Sequence, residues 1–184
     1  MITNPEKILH VLDQRLNGSV ELTLFGRTAL ALGFPDQTAY ARTVYVDVIL
    51  AEGEAEDYLE RTNFWDVIEQ INAEFASEGL YMSHFFVEDQ IILRPGWRAF
   101  RVRLPGIYQR IDLFRPANED IFLTKLMRYD PIDIEDAQMI WNKSGWTRNQ
   151  VETLIGQAKV PDIAEIREQF ALCVREILGD AGKV

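Results

Sequence analysis

Two periods of apolar residues alternate along this chain and lay out its elements. Thr3-Asn4-Pro5-Glu6 is a capping box with proline in the first turn. Ile8, Leu9, Leu12 and Leu16 then recur at helical spacing until Asn17-Gly18. From Val20 to Leu50 the pattern predicts strand, glycine turn, short helix, loop and strand. Val20, Leu22 and Leu24 alternate with Glu21, Thr23 and Phe25, Gly26 ends the run, and Arg27 to Leu32 is rich in the helix formers Ala and Leu. In the second strand, Thr43 to Leu50, the residues Val44, Val46, Val48 and Leu50 share one face, with Tyr45, Asp47 and Ile49 on the other. An acidic loop, Glu52 to Glu60, follows. A helix is then predicted from about Phe64 to Ser77, with Asn63 as its N-cap and Phe64, Val67, Ile68, Ile71 and Phe75 as its apolar stripe.

From Leu80 to Phe114 the period shortens to two. Met82–Val87 and Gln90–Leu93 flank Glu88-Asp89 as a predicted hairpin, and Arg94-Pro95-Gly96-Trp97 reads as a turn. Arg98–Leu104 alternates Phe100, Val102 and Leu104 with Arg101 and Arg103, which places those two arginines on one exposed face. Leu104-Pro105-Gly106 leads into a last strand, Ile107–Phe114. The remainder is helical, at about Glu119–Tyr129, Asp133–Lys143, Thr147–Ala158 and Asp162–Leu178, with Thr147-x-x-Gln150 and Asp162-x-x-Glu165 marking two starts. Ile163, Ile166, Phe170, Cys173 and Ile177 give the final helix a narrow apolar seam, suited to packing on the domain or on a second copy in a homodimer. The fold class is therefore α/β (α+β): a mixed β-sheet core with flanking helices over residues 1–118 and a C-terminal helical region over 119–184, the two packed together as one domain or as a core with an appendage.

Composition narrows the setting. The 184 residues are 47% hydrophobic and 26% charged, an ordinary globular balance. No apolar run approaches the roughly 20 residues of a membrane span, and the N-terminus lacks the basic-then-apolar layout of a signal peptide. The single cysteine, Cys173, excludes an internal disulfide, suits a reducing cytoplasm, and reads as a small apolar residue on a helix face. A net charge of −10 argues against whole-surface binding to nucleic acid. The charge is uneven, however: Arg94, Arg98, Arg101, Arg103, Arg110 and Arg115 cluster with Asp112 the only acid among them, while Glu52, Glu54, Glu56, Asp57 and Glu60 gather elsewhere.

The chemistry centres on Gly26 and Asp47. A glycine at a strand–helix junction lets backbone N–H groups approach a ligand, and a helix N-terminus favours an anion. Asp47 is an acid inside an apolar run, where an unpaired charge is costly. It either serves a site or pairs with an arginine such as Arg27 or Arg42. The order Gly26-Arg27, helix, then Thr43-Val44-Tyr45-Val46-Asp47-Val48 resembles the nucleotidyltransferase superfamily, whose motif is a Gly-Gly or Gly-Ser turn, a helix, and a strand bearing Asp-x-Asp. Over residues 20 to 140 the chain is similar to an uncharacterised prokaryotic nucleotidyltransferase-like family related to abortive-infection toxins, through FGRTALALGF, NFWDVIEQIN, HFFVEDQIILRPGW and IFLTKLMRYDPIDIED. It departs from the superfamily pattern at Arg27, in place of Gly or Ser, and at Tyr45, in place of the first Asp.

That resemblance implies an active site of Asp47, Lys125 and Asp133, with Gly26, Arg27, Thr28, Thr43 and Arg128 binding a nucleoside triphosphate and Asp47 holding Mg²⁺. Asp112 and Asp136 are further candidates for a remote carboxylate. Two acids at i and i+2 on a strand project from one face, about 6–7 Å apart; with Tyr45 in the first slot that metal site is depleted, because a phenol is a poor ligand for Mg²⁺. On residue types alone, Lys125 and Arg128, three apart on one helix face, equally suit an inter-helix ion-pair set with Asp130 and Asp133. The arginines of 94–115, interleaved with Trp97, Phe100 and Tyr108, suit an RNA end, a partner protein or a solvated strand face. His10 and His84 have no Cys or His at ligand spacing, so no zinc site is expected. The resemblance implies one of two functions. One is an enzyme moving a nucleotidyl group from a nucleoside triphosphate to an RNA or protein acceptor, as a component of a toxin–antitoxin pair. The other is a non-catalytic descendant of the fold that binds a nucleotide or a protein partner.

Overall fold

Thr3 opens the first helix as its sequence requires. Its hydroxyl accepts from the Glu6 N–H while the Glu6 carboxylate accepts from the Thr3 N–H, and α1 runs Asn4–Arg15. The computed structural model describes residues 2–51 and 53–179. These fall into two units, residues 1–88 with 101–115, and residues 89–100 with 116–184.

The first unit is built on a mixed five-stranded sheet in the order β3-β2-β1-β5-β4. Its strands are β1 (Val20–Phe25), β2 (Tyr45–Leu50), β3 (Tyr81–Val87), β4 (Val102–Arg103) and β5 (Ile111–Arg115). β1 pairs antiparallel with β2 and parallel with β5, β2 pairs parallel with β3, and β4 is antiparallel to β5. Val20, Leu22, Leu24, Val46, Val48 and Leu113 are buried along one face, with α1 and α4 (Phe64–Phe75) packed against the sheet there. α4 also closes the β3 edge: Asn72 donates to the Met82 carbonyl and accepts from its N–H, so two ladder groups on an outer strand are satisfied by one side chain. On α1, Asp13 is buried and accepts from the backbone N–H groups of Gln109 and Arg110 just ahead of β5.

α2 (Gly26–Gly33) leaves β1 directly. A Cβ on Gly33 would come within 2.6 Å of the Arg115 Nε, so glycine there permits the close approach of a buried guanidinium that also lies 5.5 Å over the Phe34 ring.

Several sequence expectations change here. Glu52 lies outside the described residues, but most of the predicted acidic loop is a helix, α3 (Glu54–Arg61). Gly53 at φ +80° opens it, Glu54, Glu56 and Asp57 occupy the first turn where the helix dipole favours acids, and Tyr58 is buried with its hydroxyl on the Glu21 carbonyl. Asn63 is the N-cap residue of α4 as expected, but its side chain makes no capping bond; it is bonded to the Asn17 N–H and the Arg15 carbonyl instead. The predicted hairpin at Glu88-Asp89 is absent: Glu88–Gln90 is a 3-10 turn, and Ile91, Ile92 and Leu93 enter the core of the second unit. Residues 98–104 form no long strand either; Trp97–Phe100 is another 3-10 turn and β4 is two residues. Ile107 is exposed, and the last strand starts only at Ile111.

The second unit holds α5 (Asn118–Lys125), α6 (Pro131–Ser144), α7 (Arg148–Gly156) and α8 (Ala164–Ile177). Its core is Ile91, Ile92, Trp97, Phe122, Leu126, Ala137, Ile140 and Val151, which is why 89–100 leaves the sheet unit. Thr147 makes the expected capping box on α7. Asp162 does not cap α8; it pairs with Arg167. Cys173 is buried on α8, donates to the Arg128 carbonyl at 3.3 Å, and burial pushes its thiol up to about 11. Among the described residues no helix is long and apolar enough to cross a membrane.

Tyr108 gives this fold a pH signature. Burial, then the charges of Glu6 and Asp13, push its phenol up to about 12. An acid raised in the folded state leaves stability untouched below its unfolded pKa of about 10 and removes it progressively as pH climbs from there toward the folded value. Urea midpoints at rising pH should therefore fall above about pH 10, by at most about 1.4 kcal/mol per pH unit from this group, and Tyr108→Phe should flatten that decline. An identical decline in the variant would assign the effect elsewhere.

Candidate functional site

The site residues expected from sequence divide between the units. Gly26, Arg27, Thr28, Thr43, Tyr45 and Asp47 belong to the first, and Lys125, Arg128, Asp133 and Asp136 to the second.

In the first unit, Gly26 adopts φ +57° at the start of α2, and a Cβ there would sit 2.8 Å from Asp47 Oδ2. Phe25 and Asp47 are paired across β1 and β2, so strand register alone brings the carboxylate against the turn. The N-cap residue, Phe25, has no side chain to cap α2, and the Asp47 carboxylate supplies negative charge at that helix end instead. The other oxygen, Oδ1, lies 2.9 Å from His84 Nδ1. Arg27 lies 5.5 Å over the Tyr40 ring, and Thr43 closes the 3-10 turn before β2. Thr28 is fully buried and donates to the Tyr45 carbonyl at 2.5 Å, a bond that ties α2 to β2.

His84 was not expected in this site. The strict alternation of β3 after buried Met82 puts residue 84 on the inward face. The pairing, however, steps from Val46↔Met82 to Asp47↔His84, so residue 83 is passed over in a β-bulge and His84 emerges opposite Asp47. No local feature of the sequence marks that bulge. Its result is an aromatic shelf: Tyr45 stacks beside Tyr81 at 6.3 Å, meets the His84 ring edge-on at 5.5 Å, and His84 in turn stacks near Phe86 at 6.0 Å. Phe25 closes the row against Phe86 at 5.0 Å. Tyr45 is 44% exposed, so its ring is presented to solvent.

The donors here do not fit Mg²⁺ as the resemblance implied. That ion favours several carboxylate and water oxygens in octahedral geometry, and Asp47, the only acid of β2, has one oxygen on an imidazole. Among the described residues no three His, Cys, Asp or Glu side chains converge into a metal-holding group. Asp112, on β5, pairs with Arg103.

In the second unit, the Lys125 ammonium is buried between Asp133 Oδ1 at 2.9 Å and Asp136 Oδ2 at 2.7 Å, and Arg128 binds the remaining Asp133 oxygen. Asp130 takes no part in this set; its carboxylate caps α6 by accepting from the Ile132 N–H. This is an ion-pair arrangement between α5 and α6, with Asp136 where the sequence suggested Asp130. Lys125 and Asp136 are 5% and 1% exposed, so both charges are spent internally.

No family model, curated protein or solved structure matches the chain.

The arginine segment is also engaged. Arg94 is paired with Asp120, Arg101 with Glu21 and Thr23, and Arg103 with Asp112. Arg101 and Arg103 do not share one exposed face: the first has an 11% exposed side chain and lies 4.6 Å over the Phe114 ring, the second is 70% exposed.

Removing the buried ammonium takes from Asp133 and Asp136 the cation they share. Lys125→Met leaves two carboxylates facing each other out of water, and should cost about 3–5 kcal/mol in urea unfolding. Adding Asp133→Asn and Asp136→Asn to it should restore a substantial part. Equal stability of wild type and Lys125→Met would show that the ammonium is not held as described.

Proposed function

We propose that this chain is a nucleotidyltransferase-like protein that binds a nucleotide through its base and does not transfer it. The observation that carries this reading is the Asp47 environment: one carboxylate, engaged by His84 and seated at the start of α2, beside an exposed Tyr45 ring where a second acid would be needed. Phosphoryl and nucleotidyl transfer are driven by metal ions that neutralise the charge of the phosphates, and the side chains on this shelf supply aromatic surface in place of ligands. Stacking on such rings tolerates any base and contributes about 1–3 kcal/mol per base. The order of strand, glycine turn, helix and Asp-bearing strand supports the resemblance on which the reading rests. A reducing cytoplasm suits its one, buried cysteine.

Calorimetry with the four nucleoside triphosphates and their nucleosides is the test. Binding is expected, with a nucleoside retaining most of the affinity, and Tyr45→Ala should weaken it about tenfold or more without unfolding the protein, since that ring is partly exposed. In parallel, incubation with Mg²⁺ or Mn²⁺, labelled triphosphates and total RNA should transfer no label. Transferred label would return the chain to the enzymatic reading, and undiminished affinity in Tyr45→Ala would remove the shelf as the binding surface.

A further inference from the structure

A cavity of about 360 Å³ lies wholly within the second unit, where α7 and the start of α5 face Arg94. Trp146 and Leu154 provide its apolar surface. Residues 150, 154 and 157 follow one another along a single face of α7 and its end, so Gln150 and Gln157, with Asn149 beside them, bring carboxamides to the same space. The amide nitrogens of Asn149, Gln150 and Gln157 donate to no described residue; Gln150 is oriented by its carbonyl oxygen, which accepts from the Thr147 N–H at 2.8 Å.

Two charged groups complete the lining, and they are not equivalent. Arg94 is held by fully buried Asp120 through its backbone N–H, its Nε and its Nη2, at 3.0, 3.1 and 2.7 Å, a fixed bidentate fork whose hydrogen bonds raise its pKa further. Its charge is thus already balanced, while its Nη1 donates to no described residue. Glu119 comes no nearer than 3.7 Å to Arg94, with a side chain 38% exposed, so its carboxylate keeps acceptor capacity. With Asp120 behind, the cavity carries one more negative charge than positive. Phosphate and other anions are disfavoured there. A free amino acid is poorly matched too, because its carboxylate would need a cation that Asp120 has claimed.

What fits is a neutral, planar ring with two adjacent N–H donors on one edge and acceptors on another. Guanine has this layout: its N1–H and exocyclic amine form a parallel pair for a carboxylate, its O6 and N7 accept from guanidinium or carboxamide N–H groups, and its face suits an indole. Adenine and cytosine lack the paired donors. From this lining we infer that the cavity is a binding site for a guanine-type base, with Glu119 reading the donor edge, Arg94 and the α7 carboxamides the acceptor edge, and Trp146 the ring face. This site is independent of the Tyr45 shelf.

The test uses the full chain, as wild type and with Tyr45→Ala as the background in which the shelf contributes nothing to affinity, with guanosine, inosine, adenosine and cytidine, followed by calorimetry and by NMR shifts of the indole N–H resonances. Guanosine is expected to bind at least about tenfold more tightly than inosine, which lacks the exocyclic amine, and to shift the Trp146 signal. Glu119→Gln should weaken guanosine by about tenfold or more while its thermal unfolding stays that of wild type, and Asn149→Ala, at an exposed position, should weaken it less. Tyr45→Ala should leave the Trp146 shift intact, which separates this site from the shelf. Absence of guanosine binding at millimolar concentration, equal binding of all four nucleosides, or full affinity in folded Glu119→Gln would each overturn the assignment.

Discussion

A charge removed from water must be met by an opposite charge or by donors, and this requirement organises both units of the molecule. An unpaired buried ion costs several kcal/mol even after relaxation, a sizeable share of a domain's net stability. Each buried acid here therefore fastens a distant piece of chain. Asp13 on α1 gathers the backbone N–H groups of Gln109 and Arg110 and so fixes where β5 begins. Asp120 on α5 holds Arg94 and, with it, the segment 89–100 that the second unit takes from between two strands. Asp133 and Asp136 enclose Lys125 and set α6 against α5. Such pairs are not strong sources of stability compared with apolar packing, but each forbids arrangements that would leave its acid alone.

Asp47 meets the same requirement differently, and the proposed function rests on the difference. It is partly exposed and satisfied by an imidazole and by its seat on a glycine turn at the start of α2. That arrangement occupies the place where an anion would otherwise be received and leaves the neighbouring Tyr45 ring as the feature offered to solvent. On the proposed reading, one carboxylate beside a row of aromatic side chains holds a base rather than neutralising a triphosphate.

Local signals were legible and long-range ones were not. The α1 capping box, the alternation of β1 and β2, and the helical stretches of the second unit are carried by residues close in sequence, and they appear where the pattern places them. Glu54–Arg61 reads as a solvated loop because its acids mask the one anchoring residue, Tyr58, whose value depends on β1 being nearby. Ile91, Ile92 and Leu93 read as a hairpin strand because an apolar run does not say which core it enters. Lys125 and the acids of α6 were visible as a set, although only the fold selects Asp136 over Asp130. His84 was invisible: its role depends on a one-residue bulge against a strand some forty positions earlier.

The central claim, that Asp47 stands as a lone carboxylate and the protein holds a nucleotide by its base, is tested most directly by one comparison. The dissociation constant of a nucleoside triphosphate is measured calorimetrically in EDTA and again in millimolar Mg²⁺. The account predicts the same affinity in both, within about twofold, because no step of binding runs through a metal held by the protein. A rise of tenfold or more on adding Mg²⁺, lost in Asp47→Asn, would contradict it.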